Sequence, residues 1–126
     1  MKEIKALLVE DDEGVASLYL EILARGEIQV DHVLTTREGL EKLAQAPYDL
    51  VFTDLSQNPT GVEVYRDAVA RGIKDVYITT GGGKESLLEE ARQIAGQRLL
   101  ERPFPISKIF AVAEQAKQRK LETPKP

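Results

Sequence analysis

Cysteine is missing from this chain of 126 residues, which excludes disulfides, thiolate metal centres and cysteine nucleophiles and leaves a cytoplasmic setting as the expectation. No apolar run approaches the length of a membrane span. Near the N terminus, Met1, Lys2, Glu3, Ile4 and Lys5 precede only Ala6 to Val9, which is also too short for the core of a secretion signal. Positive charge is in deficit, with 17 Lys and Arg against 21 Asp and Glu and a net charge of −4. That field repels nucleic acid and anionic membrane, so neither is expected as a partner. Nine glycines and six prolines are too few for collagen or low complexity, and 42% hydrophobic residues are too many for disorder. What remains is one domain's worth of chain, expected over residues 1–120, with a polar, Pro-containing flexible tail over 121–126.

Short apolar runs alternate with stretches of helical period along the whole chain, the pattern of βα units around a parallel sheet. The strands are expected at Ala6–Val9, Ile28–Val33, Leu50–Thr53, Val76–Thr79 and Arg98–Glu101. Helical spacing is clearest in Val15, Leu18, Tyr19, Ile22 and Leu23, then in Leu87, Leu88, Ala91, Ile94 and Ala95, and again in Ile106, Ile109, Phe110 and Ala113. Two further helices, with weaker periodicity, are placed at Thr36–Gln45 and Val62–Arg71. Gly26, Gly72 and Gly96 each follow a helix and are expected to close it in the left-handed conformation.

A central parallel strand is buried on both faces and reads as a continuous apolar run, as the first, third and fourth strands do. The second strand mixes in Gln29, Asp31 and His32, and the fifth offers only Leu99 and Leu100 between charges, so both read as edges. With right-handed crossovers this gives an α/β fold: a five-stranded parallel sheet of order 2-1-3-4-5, doubly wound and flavodoxin-like, with five flanking helices. His32, on an edge strand, reads as a structural residue and not a ligand.

In such a sheet the functional crevice lies at the carboxyl ends of the strands, where the strand order reverses. The first strand ends in Glu10, Asp11, Asp12 and Glu13, the third in Asp54, the fourth in Thr79, Thr80 and Gly81, and the fifth in Arg102. Asp12 and Glu13 are explained as a helix cap and a first-turn charge. Neighbouring strands are only ~4.8 Å apart, so Glu10, Asp11 and Asp54 crowd one small volume. Carboxylates that close repel unless a cation sits among them, and a hard divalent ion such as Mg²⁺ suits oxygen ligands. The Thr80 hydroxyl and the Arg102 cation are the groups that a bound phosphoryl group would need. Gly81-Gly82-Gly83-Lys84-Glu85-Ser86 is not a P-loop, because Glu85 stands where Ser or Thr is required and Ile78 where the first Gly should be.

Four segments, Leu7-Leu8-Val9-Glu10-Asp11-Asp12, Leu50-Val51-Phe52-Thr53-Asp54, Ile78-Thr79-Thr80-Gly81 and Arg102-Pro103-Phe104, resemble in order the motifs of bacterial response-regulator receiver domains. The resemblance spans the chain. It implies a chemotaxis-receiver-like, stand-alone signalling protein of two-component systems. It implies that Asp54 is the phosphoacceptor, charged by a sensor histidine kinase or a phosphotransfer protein, and that Mg²⁺ is held by Asp11 and Asp54 directly, by Glu10 through water and by the Ser56 backbone carbonyl. Thr80 and Arg102 would hold phosphoryl oxygens. The protein would not be an enzyme acting on other substrates; it would catalyse only its own phosphorylation and dephosphorylation. Its output would be altered affinity for a downstream protein, or a homodimer, through the face of the fourth helix, fifth strand and fifth helix.

The sequence departs from the family pattern at several points. Arg102 replaces the usual Lys, Leu99 replaces a usual aromatic residue, and Pro59 and Gly61 stand five and seven residues after Asp54, where four and eight are usual. Gly81, Gly82 and Gly83 read as a loose connection, and the small Ser56 and Gly82 as open to water. These departures motivate an alternative, a receiver that binds partners constitutively without phosphate. A small Mg²⁺-dependent phosphatase is disfavoured, because Ser56 stands where a second Asp would serve as general acid.

Overall fold

Residues 3–122 are described by a computed structural model. The elements run β1 (Lys5–Val9), α1 (Glu13–Arg25), β2 (Gln29–Val33), α2 (Thr36–Gln45), β3 (Leu50–Asp54), α3 (Gly61–Ala70), β4 (Asp75–Thr80), α4 (Glu85–Ala95), β5 (Leu99–Glu101) and α5 (Ile106–Glu122). A 3₁₀ turn over Gly96–Arg98 leads into β5. All neighbouring strands pair in parallel, in the order β2-β1-β3-β4-β5. The doubly wound, flavodoxin-like architecture is the expected one, and each strand bound falls within a residue of its expected place.

The two-residue period of a strand sends alternate side chains to opposite faces, and each face is closed by helices. Leu8, Leu50, Phe52 and Tyr77 join Tyr19, Leu23 and Ile109 on the side of α1 and α5. There the Phe52 ring meets Tyr19 edge-on at 5.3 Å and stacks on Tyr77 at 5.8 Å. Leu7, Val9, Val51 and Val76 join Leu43, Val64 and Ala68 of α2 and α3 on the other side. Leu99 and Ile78 extend that second layer with Val62 and Leu88. The edge strand β2 keeps polar residues because they find partners: the Tyr48 hydroxyl donates to Asp31 at 2.6 Å, and Lys5 lies 3.4 Å away. The Tyr48 hydrogen bond, with the Lys5 charge, holds the Asp31 carboxyl below its usual range.

Helix ends follow local chemistry, with one exception to expectation. Asp12 caps α1 by accepting from the Val15 backbone N–H at 3.0 Å. Thr35 and Glu38 form a reciprocal capping box at α2. Gly72 and Gly96 adopt positive φ, but Gly26 has φ −84° and the left-handed residue is Glu27, at φ 61°. Three backbone N–H bonds in succession, from Gly26, Glu27 and Ile28 to carbonyls of the last turn of α1, place the reversal one residue later. Helix α5 continues through Leu121 and Glu122, past the boundary expected at residue 120, with Gln118 donating to Glu122 at 2.9 Å. The rest of the expected tail, 123–126, lies outside the described residues. Among the described residues no helix is long and apolar enough to cross a membrane.

At the end of the sheet away from the strand tips, Asp75 is only 2% exposed, and Arg119 meets it at 2.9 Å with Arg98 at 3.8 Å. The Arg98 guanidinium also lies over the Tyr77 ring at 5.2 Å. This buried pairing clamps the last turns of α5 to the base of β4.

Two glycines separate steric from conformational constraint. A Cβ at Gly61 would lie 2.3 Å from the Asp54 carbonyl oxygen and 2.8 Å from the Leu55 Cα, so α3 can start against β3 only without a side chain there. At Gly72 nothing lies within 4 Å, but φ is +88°. We expect Gly61→Ala to cost about 3 kcal/mol or more in urea unfolding, as an overpacked site does, and Gly72→Ala only about 1 kcal/mol, the strain of positive φ. Equal costs would contradict this assignment.

Candidate functional site

The parallel register brings the candidate residues together. Val9 pairs with Thr53 and Asp54 with Thr79, so Glu10, one step past β1, comes level with Asp54 at the tip of β3. Thr80 pairs with Glu101, and the Arg102 backbone N–H donates to the Thr80 carbonyl at 2.7 Å. Glu10, Asp11 and Asp54 each offer a carboxylate oxygen, and these oxygens lie within 4.8 Å of one another. Glu10 and Asp54 are buried, at 2% and 8% exposure, while Asp11 faces solvent.

That burial has an electrostatic consequence. Loss of hydration, aided by the neighbouring Asp54 charge, pushes the Glu10 carboxyl up from 4.5 to about 7, against the opposing effects of the Asp12 backbone N–H and Arg102. The Asp12 N–H donates to Glu10 Oε2 at 3.1 Å, and the Arg102 guanidinium lies 3.8 Å from Glu10 Oε1. One partly buried cation does not offset three carboxylates. Hard oxygen donors, one solvent-facing and two sheltered, around an excess of negative charge fit a small divalent cation.

On the other flank, the Thr80 hydroxyl is tied to the loop after β4. It donates to the Gly82 carbonyl at 2.7 Å and accepts from the Gly82 N–H at 3.0 Å. Ser56 Oγ also donates to the Gly82 carbonyl, at 3.3 Å. Thr80 and Ser56 thus both bond the Gly82 backbone, and Gly82 and Gly83 both adopt positive φ. The Arg102 guanidinium packs against Gly81, where a Cβ would come within 3.5 Å of it. Its Nε is buried with no hydrogen-bond partner among the described residues.

Two neighbours of the site escaped the sequence reading. The His32 ring Nε2 lies 2.9 Å from the Glu10 carbonyl oxygen, so Nε2 must carry the proton and donate. His32 pairs with Leu8 in the sheet, two residues before Glu10, and that register was the available signal. The second is Gln57, whose Nε2 comes within 3.5 Å of Asp54 Oδ2. Its amide is also bonded to the loop between β2 and α2. Nothing in a single sequence announces that contact.

Comparison with known proteins agrees with this geometry. The response regulator receiver domain family matches residues 6–114. No curated protein matches the chain in sequence. A CheY-like receiver domain protein from Methanospirillum hungatei JF-1 superposes with a TM-score of 0.80 at 19% identity, covering 97% of this chain and 100% of that one. Chemotaxis response regulator CheY4 of Vibrio cholerae superposes with a TM-score of 0.74 at 18% identity, covering 91% and 99%. The beryllofluoride-activated NtrC4 receiver domain, described as a dimer, does so with a TM-score of 0.75 at 21% identity, covering 91% and 97%. These likenesses carry the fold, and the family match carries the relationship: the chain belongs to the response regulator receiver domains of two-component signalling.

Proposed function

We propose that this receiver takes a phosphoryl group onto Asp54 from a sensor histidine kinase or phosphotransfer protein, in a Mg²⁺-dependent reaction, and signals in the cytoplasm by altered protein–protein interaction. The observation that carries this reading is the convergence of Glu10, Asp11 and Asp54 within 4.8 Å, flanked by Thr80 and Arg102 from the next two strand ends. An Asp54 carboxylate oxygen attacks phosphorus. The phosphorus–nitrogen bond of the donor phosphohistidine breaks as the new bond forms, and the imidazole leaves with the electron pair. The resulting acyl phosphate is reset when water attacks phosphorus, returning the carboxylate and inorganic phosphate.

Little covalent work falls to the protein, and its residues position and neutralise. Glu10, Asp11, Asp54 and the Ser56 carbonyl would hold Mg²⁺, which when bound supplies positive charge to the phosphoryl oxygens. Arg102 can grip an oxygen of the same group, and its guanidinium offers a planar pair of donors where Lys would offer a point charge. Its unpartnered buried Nε is consistent with a donor awaiting an acceptor. Thr80 would release Gly82 to bind another phosphoryl oxygen. The face of α4, β5 and α5 is the proposed output surface, where Arg92 of α4 reaches Glu101 of β5 at 3.2 Å. Dimerisation of the activated NtrC4 relative supports a homodimer as one form of output.

Intact-mass spectrometry after incubation with Mg²⁺ and acetyl phosphate is expected to show one phosphoryl adduct, absent from Asp54→Asn and from metal-free protein. Mg²⁺ binding without an adduct would favour constitutive binding of partners instead. A second prediction follows from Glu10. Its raised pKa keeps it protonated up to about 7, and a metal ligand must be ionised, so binding below that pH has to expel a proton. Apparent Mg²⁺ affinity by calorimetry should rise as pH passes through about 7, and this dependence should flatten in Glu10→Gln. The sign for metal-free folding is opposite: Glu10 contributes its stability below its unfolded pKa and loses it as pH rises through about 7. An affinity that does not vary across this range would refute the assignment of Glu10.

A further inference from the structure

Gln57 makes three contacts with its side-chain amide. Oε1 accepts from the Thr36 backbone N–H at 2.8 Å, and Nε2 donates to the Leu34 carbonyl at 3.1 Å and approaches Asp54 Oδ2 at 3.5 Å. A backbone N–H can only donate and a carbonyl or carboxylate only accept, so a single orientation of the amide satisfies all three. Both N–H groups of Gln57 are thus committed, one to the loop before α2 and one to Asp54. Among the described residues no other side-chain or backbone donor bonds the Asp54 carboxylate. Thr36 opens α2, and its N–H is one of the donors a helix leaves unpaired at its start. Gln57 therefore caps α2 from a loop 21 residues away. The fully buried Thr36 adds a second tie, its hydroxyl donating to the Pro59 carbonyl at 2.5 Å.

We infer that Gln57 is a positioning residue for the Asp54 carboxylate and links the state of Asp54 to the N terminus of α2. The inference rests on the reading of Asp54 as acceptor. At 3.5 Å the Gln57 contact is weak in the unmodified site. A phosphoryl group on Asp54 adds charge and three strong acceptor oxygens within reach of that N–H. The amide cannot turn toward them without shifting its bonds to Leu34 and Thr36, and the Leu34 side chain is 44% exposed. The modification is thereby presented at the surface between β2 and α2. This route does not need residue 99, where Leu packs into the layer against α4 and carries no polar group.

The test compares wild type, Gln57→Met and Gln57→Glu, with acetyl phosphate and saturating Mg²⁺, by amide NMR and intact mass. Met removes both donor and acceptor; Glu keeps an acceptor for the Thr36 N–H, and so the cap, but removes the donor. In wild type the Thr36 amide and the Gln57 side-chain NH₂ signals should shift as the adduct forms. In both variants the Thr36 shift should no longer follow the adduct while Thr80 still responds, and the rate of adduct formation should fall at least about threefold. A purely structural Gln57 would change thermal stability but neither the rate nor the adduct-dependent shift of Thr36. If the wild-type adduct forms with Thr36 unmoved and both variants react at the wild-type rate, the inference is overturned and Asp54 stands as acceptor. If wild type forms no adduct, both readings fall together.

Discussion

Three carboxylates confined to one small volume are the constraint on which the rest of this protein turns. Two of them, Glu10 and Asp54, are nearly free of solvent, and their mutual repulsion is never relaxed by distance because the β1–β3 register fixes them side by side. Folding opposes that concentration of charge and tolerates it only because other terms are larger. The apolar layers on both faces of β1 and β3 hold the strand tips in place whatever the tips carry. Local donors, the Asp12 N–H and the Arg102 guanidinium, offset part of the cost, and the upward shift of Glu10 shows that the offset is incomplete. A stored electrostatic cost at one edge of a rigid sheet suits that edge to a small divalent cation.

The scaffold's role is to make that edge precise while leaving the loops around it chemically open. Gly61 lets α3 begin directly against the Asp54 carbonyl and the Leu55 backbone at the tip of β3. Asp75, clamped between Arg119 and Arg98, secures the opposite end of the neighbouring strand. Removing one member of such a buried group leaves charge without compensation, so the pairing fixes geometry more than it adds stability.

The fold was legible because its determinants are local. Ala6–Val9, Leu50–Thr53 and Val76–Thr79 read as doubly buried because a strand covered on both faces has no place for polar residues, and Gln29, Asp31 and His32 mark an edge for the converse reason. The acidic cluster was legible too, since strand order and strand ends together decide which residues meet. What sequence could not reveal are contacts that depend on how loops lie against one another. Nothing in the sequence pairs Gln57 with the start of α2, or Asp75 with Arg119, 44 residues on in α5. The helix end at Gly26 failed for a subtler reason. Glycine only permits positive φ, and here the carbonyls of α1 are satisfied with the reversal at Glu27.

The loops at the strand tips respond to one another because their donors are already spent. The Thr80 hydroxyl has one proton and gives it to the Gly82 carbonyl. To donate to a phosphoryl oxygen it must abandon that carbonyl, which Ser56 Oγ already approaches at 3.3 Å and can serve in its place. Gln57 has two amide protons and both are engaged, one with the Leu34 carbonyl and one, at 3.5 Å, with Asp54. On the proposed reading, phosphorylation of Asp54 would exchange hydrogen bonds and add few. Each exchange would bear on a loop: β4–α4 through Gly82 on one flank, β2–α2 through Leu34 and Thr36 on the other. On that reading, a receiver without an aromatic residue at position 99 would thus keep two routes from Asp54 to its surface, each running through a backbone carbonyl, that of Gly82 or that of Leu34.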